Sequence, residues 1–197
     1  MTGRRTARRG PWRIAVAALT AVCAVLFGMT ASAGAADGSA VDRFGAQARK
    51  AGLSAAQAEA LQARLDGYLA KAGGRQTAAN EITYEGNGTL VLALPGERKA
   101  RSLNPAAPTA LAGCSYYWFC TFSGPEFTGD SRSAERCNTN TYIPWTTTNG
   151  SWINNQTGGT RAKLKNQSYT ILSWTAGAYS EQRWGVNWGP IHYIDPC

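Results

Sequence analysis

Histidine is almost absent from this 197-residue chain; His192 is the only one, and it stands between Ile191 and Tyr193 in a segment expected to be a strand. No Cys-x2-Cys pair occurs, so a zinc site has little to be built from. Acidic residues are also few, twelve in all. After Cys114 they are Glu126, Asp130, Glu135, Glu181 and Asp195, and no spacing singles out a pair of the kind glycoside hydrolysis uses. Cysteine nucleophiles disappear if the cysteines of the exported chain are all paired. A catalytic site needs convergent groups, and none is visible, so the chain is not expected to be an enzyme. Long apolar runs are missing too: Ile14 to Phe27 is shorter than the about 20 residues of a comfortable membrane span.

What the N-terminus does have is the grammar of an export signal. Arg4, Arg5, Arg8, Arg9 and Arg13 precede that apolar run, and Ala31-Ser32-Ala33 and Ala33-Gly34-Ala35 follow it as small-residue cleavage sites. Residues 1–36 are therefore expected to be removed, which predicts a secreted, extracellular product with no membrane partner after cleavage. The formal charge of +8 then changes meaning. Fifteen basic residues remain against the same twelve acidic ones, a net charge of +3, and a concentrated basic face for nucleic acid is not expected. Cys23 leaves with the signal. Cys114, Cys120, Cys137 and Cys197 stay, an even number in a small exported module, and three pairings are open to them.

Two modules follow. Residues 37–94 read as a small α+β segment. Ser54 and Gln57 form a capping box, Leu61, Leu65 and Leu69 repeat at helical spacing, and Gly73-Gly74 stops the helix. Glu81–Tyr84 and Thr89–Leu94 read as strands around the turn Gly86-Asn87-Gly88. One helix and one hairpin bury little surface, so this segment is expected to lean on its neighbour or to act as a pro-region. Residues 95–113 read as a Pro/Ala-rich, extended and mobile linker, with Glu97-Arg98-Lys99-Ala100-Arg101 at its start. Residues 114–197 hold six of the seven tryptophans and six of the eight tyrosines, and no helix-period stripe. Strands are expected near 118–122, 131–137, 151–154, 161–164, 169–174 and 192–194, which predicts a sandwich or barrel.

Within that module, Phe122-Ser123-Gly124-Pro125-Glu126-Phe127-Thr128-Gly129 places two aromatics five apart around turn residues. Facing alternates every two residues in a strand, so the two rings cannot both point inward unless the chain folds over between them. Gly129 supplies the positive φ that such a fold-over needs. A folded hairpin with one ring capping the other is expected.

These residues resemble the secreted actinobacterial metalloproteinase-inhibitor family, whose fold is βγ-crystallin-like. The resemblance rests on Cys114-x5-Cys120, Phe122-x4-Phe127-x-Gly129, Cys137, Gly150-Ser151-Trp152-Ile153-Asn154-Asn155-Gln156-Thr157 and the terminal Cys197. It implies a mainly β fold, a Greek-key sandwich after the helix-and-hairpin segment, with disulfides Cys114–Cys120 and Cys137–Cys197. It also implies binding to, and inhibition of, an extracellular protease. A weaker second copy of the aromatic motif, Trp174 to Glu181, is expected to form the second hairpin of the pair, although Glu181 stands where glycine belongs. Calcium, which many such modules bind, is not expected here: the corresponding loop, Thr146 to Ser151, has no carboxylate. The alternative reading is a non-inhibitory module for a surface glycan or other polymer, with Trp145, Trp184 and Trp188 as the binding candidates and Trp152 in the core.

Overall fold

The computed structural model describes residues 44–107 and 114–197. The expected signal and residues 108–113 of the linker lie outside the described residues. A helical run over 44–50 leads to Ser54, which caps helix α1 (Ala55–Ala72). The Gln57 N–H donates to Ser54 Oγ at 3.3 Å, and the Ser54 N–H donates to Gln57 Oε1 at 2.9 Å, so two otherwise orphaned donors are satisfied reciprocally. Leu61 and Leu65 carry the buried stripe, and Gly73, at φ 66°, closes the helix by donating to Leu69 O.

Eleven strands follow among the described residues, in two antiparallel sheets. They are β1 (Arg75–Ala78), β2 (Glu81–Thr83), β3 (Thr89–Val91), β4 (Trp118–Phe122), β5 (Ser131–Ala134), β6 (Thr141–Tyr142), β7 (Gly150–Asn155), β8 (Lys163–Lys165), β9 (Ile171–Trp174), β10 (Ser180–Val186) and β11 (Tyr193–Asp195). One sheet runs β1-β2-β3-β5-β4-β7-β10 and the other β6-β11-β8-β9. The connectivity repeats. β4 and β5 form a hairpin, β7 returns to the other side of β4, and β6 between them leaves for the opposite sheet. Likewise β8 and β9 form a hairpin, β11 returns beside β8, and β10 leaves for the first sheet to pair with β7. Each set of four strands thus lends its third strand to the other sheet, and neither sheet is complete from one set alone.

The fold-over at Phe122 is present. Pro125–Phe127 forms a 3-10 turn with Glu126 and Phe127 at φ 53° and 58°, and Gly129 lies at φ 75°. The Phe122 and Phe127 rings meet at 5.4 Å and share a small buried cluster with the Cys114–Cys120 disulfide. Ser151 Oγ bridges the turn, accepting from the Phe127 N–H at 3.0 Å and donating to Gly124 O at 2.7 Å.

Two sequence expectations need correction. The second motif, Trp174 to Glu181, is no hairpin: Trp174 ends β9 and Ser180 begins β10, and these strands belong to different sheets. The second hairpin joins β8 to β9, where Asn166 Oδ1 accepts from the N–H groups of Ser168 and Thr170 in an ordinary Asx turn. The start of the linker is also tied down rather than free. Gly129 N–H donates to Arg98 O at 2.7 Å, Ala100 N–H to Gly129 O at 3.1 Å, and buried Asn80 binds both Arg101 O and the Leu103 N–H. The N-terminal hairpin continues the main sheet, because β3 pairs with β5 (Leu90↔Arg132, Val91↔Ser131). The Arg64–Asp130 ion pair at 2.5 Å joins α1 to the residue just before β5. Burial raises the Asp130 carboxyl above its usual pKa, against the opposing charge of Arg64.

The core is shared accordingly: Leu61, Leu65, Ile82 and Leu90 belong to one cluster with Phe119, Trp152, Trp188 and Ile194. Trp188 is fully buried, and its Nε1–H donates to Phe122 O at 2.9 Å. Gly150 makes room for it, since a Cβ there would stand 1.8 Å from Trp188 Nε1. At the other end, buried Asp195 accepts from Lys163 Nζ at 2.9 Å, Lys165 Nζ at 3.1 Å and the Asn138 N–H at 2.9 Å. Burial alone would raise its pKa, but these donors together hold it below the usual carboxylate value. The Cys137–Cys197 disulfide closes a 60-residue separation beside this cluster, a constraint worth on the order of 4 kcal/mol through the unfolded chain.

Gly150→Ala is expected to lower the unfolding free energy by about 1–3 kcal/mol through forced displacement of the indole. Gly67→Ala, on the open face of α1, is expected to raise it by about 0.5–1 kcal/mol; urea denaturation reads both. Because the folded pKa of Asp195 is depressed, its contribution is complete above the unfolded carboxylate pKa and is lost as pH falls through the folded value. The Tm gap between the parent and Asp195→Asn is therefore expected to be widest near neutrality and to close in acid. A gap independent of pH would remove this assignment.

Candidate functional site

The four cysteines expected to be paired are paired, Cys114 with Cys120 and Cys137 with Cys197. Such bridges fit an oxidising, extracellular setting. Of the three tryptophans expected to meet a partner, only Trp184 is exposed, at 60%. Trp145 and Trp188 are buried among the residues of the main core and present no surface. The glycine-rich run around Trp188 lets the indole in rather than pushing it out. Trp152 is buried as expected.

The remaining sequence candidates serve the fold. Asn149 Oδ1 accepts from the Gly185 N–H at 2.8 Å, and Ser151 holds the folded hairpin. The main chain of His192 joins neighbouring segments, its N–H donating to Lys165 O and its carbonyl accepting from the Ile143 N–H. Among the described residues no group of three His, Cys, Asp or Glu comes together as a metal site. Arg132 lies buried against the Tyr84 ring at 4.0 Å, donates to Asn87 O at 3.0 Å and is lowered to about 10 by desolvation. It stitches β5 to the N-terminal hairpin.

The feature that is free to act is a sheet edge. Two sheets have four edges, and unpaired N–H and C=O groups there are templates for pairing unless blunted. β1 is polar, and Gln76 within it bonds to Gln62 of α1. β6 is two residues long. β10 carries charge: Arg183 pairs with Glu181 at 2.7 Å and with Glu126 of the folded hairpin at 3.1 Å. The hydrogen bonds it donates to those two carboxylates raise the Arg183 pKa above its usual value.

β9 differs from all three. Its four residues, Ile171-Leu172-Ser173-Trp174, are exposed throughout, and three of them are large and apolar. On its inner side it pairs with β8 (Lys163↔Trp174, Leu164↔Ser173). Lys163 Nζ lies 5.4 Å and the Arg161 guanidinium 5.9 Å from the Trp174 ring, which orients that indole without covering it. β9 is also braced from behind, since Lys163 and Lys165 of β8 are both bound to Asp195 of β11. An apolar, unguarded strand on a rigid support can add a strand from another polypeptide.

Sequence reasoning placed a strand at 169–174 but did not see that it stands at an edge. The signal was present in the run Ile171-Leu172, where two large apolar residues follow one another with no alternation. No helix among the described residues is long and apolar enough to cross a membrane. Compared with known proteins, the chain matches no family model, no curated protein and no solved structure.

Proposed function

We propose that this chain is an exported, non-catalytic binding protein that inhibits an extracellular proteinase, carried on a βγ-crystallin-like scaffold of two interlocked Greek keys. The exchanged third strands and the Phe122–Phe127 fold-over support the scaffold. The observation that carries the activity is β9, an apolar edge strand held rigid by the Asp195 cluster. A proteinase cleft receives polypeptide in extended form, and a strand that is already extended and braced loses little conformational freedom on docking. Trp174 and Leu172 are the side chains offered as anchors, consistent with the weight aromatic residues carry in interfaces. The resemblance of the cysteine frame and hairpin to the metalloproteinase-inhibitor family points to the metal-dependent class of target.

The test is a panel of extracellular metalloproteinases assayed with the chain lacking residues 1–36. Submicromolar inhibition of at least one enzyme is expected, with Leu172→Lys and Trp174→Ala each weakening it tenfold or more at unchanged Tm. Absence of inhibition across the panel, or inhibition indifferent to both substitutions, would overturn the reading.

A further inference from the structure

A second surface feature stands apart from β9. A shallow cleft of about 390 Å³ is lined by Tyr117, Glu135, Arg136, Gln156, Thr157 and Thr160, with the Cys137–Cys197 disulfide and Gly86 completing its wall. None of these residues belongs to a strand, so the cleft offers no ladder edge to a peptide backbone. It offers unused hydrogen-bonding groups instead. Among the described residues the side chains of Glu135, Arg136, Thr157 and Thr160 make no hydrogen bond or ion pair. Glu135 and Arg136 are adjacent in sequence and both exposed, yet each is unpaired. Gln156 is only 3% exposed, and its Oε1 has no partner; its Nε2 meets Cys197 Sγ at 3.7 Å.

Beside these polar groups stand exposed rings. Tyr117 is 57% exposed and sits at φ 74°, a conformation that costs a non-glycine residue energy and that its N–H bond to Asn155 O, at 2.8 Å, helps to fix. Tyr116 lies against it at 3.9 Å, and Tyr179 stacks on Tyr116 at 6.1 Å, their hydroxyls 3.2 Å apart. The loop bearing Thr157 and Thr160 is joined to this row through Gly159 N–H to Ala178 O and Ala178 N–H to Thr160 O. The side chains of the lining include one acid, Glu135, and one base, Arg136, which balance.

We infer that this cleft is a binding site for an uncharged polysaccharide. A sugar ring has an apolar C–H face and a rim of hydroxyls that both donate and accept. Tyr117 supplies the flat apolar surface for the face, and Tyr116 and Tyr179 extend it along the polymer. Glu135 accepts from hydroxyls and Arg136 donates to them. A few placed polar groups around an aromatic surface are what an orienting small-molecule site needs. The site is independent of the proteinase reading, and its variants lie away from β9.

The test uses the chain lacking residues 1–36 in pull-downs with insoluble chitin and insoluble cellulose, alongside the anionic polymer alginate. Binding to chitin or cellulose is expected, unaffected by 0.5 M salt on the order at which surface charge is screened. Tyr117→Gly removes the ring and relaxes the positive φ, so the fold is spared; it is expected to weaken binding tenfold or more at unchanged Tm. The exposed pair Glu135→Gln with Arg136→Gln is expected to weaken it as well, while Leu172→Lys leaves it intact. Retention on neither neutral polymer, retention on alginate alone, or binding unchanged in Tyr117→Gly would each overturn the inference.

Discussion

The indole of Trp188 reaches Phe122 O through the space that Gly150 leaves open, and three separate parts of the chain meet at that contact. Phe122 ends β4, Gly150 begins β7, and Trp188 lies between β10 and β11. The contact therefore ties the first hairpin, its returning strand and the second set of strands together on one buried hydrogen bond. A buried indole N–H without an acceptor would forfeit roughly 1–3 kcal/mol, so the bond fixes where the ring goes as well as filling the core. The exchange of β6 and β10 between the sheets makes this economical. Neither set of strands closes without the other, and the segments after β6 and after β10 meet where the Trp188 N–H donates to Thr147 O.

The N-terminal segment depends on the same completeness. A helix with a lone hairpin has too little apolar surface to stand by itself. Its β3 supplies the partner that β5 would otherwise lack, and Asn80, Arg132 and Asp130 satisfy buried polar groups across the seam. Asn80 accepts from Leu103 and donates to Arg101, so residues after the hairpin are bound into the seam as well. The seam is polar as well as apolar, which makes its register specific.

What was legible in the sequence follows from what each signal encodes. Ser54 and Gln57 marked the helix start because capping is a local exchange of hydrogen bonds. Phe122 to Gly129 marked the fold-over because backbone sterics there are local too. Alternation of apolar and polar residues, by contrast, reports burial, and an edge strand exposed on both faces has none to report. β10, the longest strand, was missed for that reason: Glu181, Gln182, Arg183 and Trp184 are all exposed. Trp188 was misplaced because a glycine-rich neighbourhood signals close approach without saying which side approaches. For Trp188 the decisive residue was Gly150, 38 positions away, and only the tertiary contact reveals it. The cleft was equally hidden, since Tyr117, Glu135 and Gln156 meet only after the strands have exchanged.

Rigidity links the two surface features to the core. Asp195 draws Lys163 and Lys165 inward from β8, and the disulfide at Cys197 fastens the end of the same strand run to Cys137. One consequence falls on β9, whose one ladder partner among the described residues is β8: fixing β8 fixes the edge. The other falls on the cleft, whose wall includes that disulfide. Both surfaces are thus ordered before any partner arrives, and the entropy that ordering costs is met during folding instead of during binding. The contrast with β10 shows that this exposure is selective. There the charged triad of Glu126, Glu181 and Arg183 guards the edge against unwanted pairing, whereas β9 has lysine and arginine only behind and beside its apolar row. A fold that protects three of its edges and braces the fourth without protecting it has left that edge available for contact.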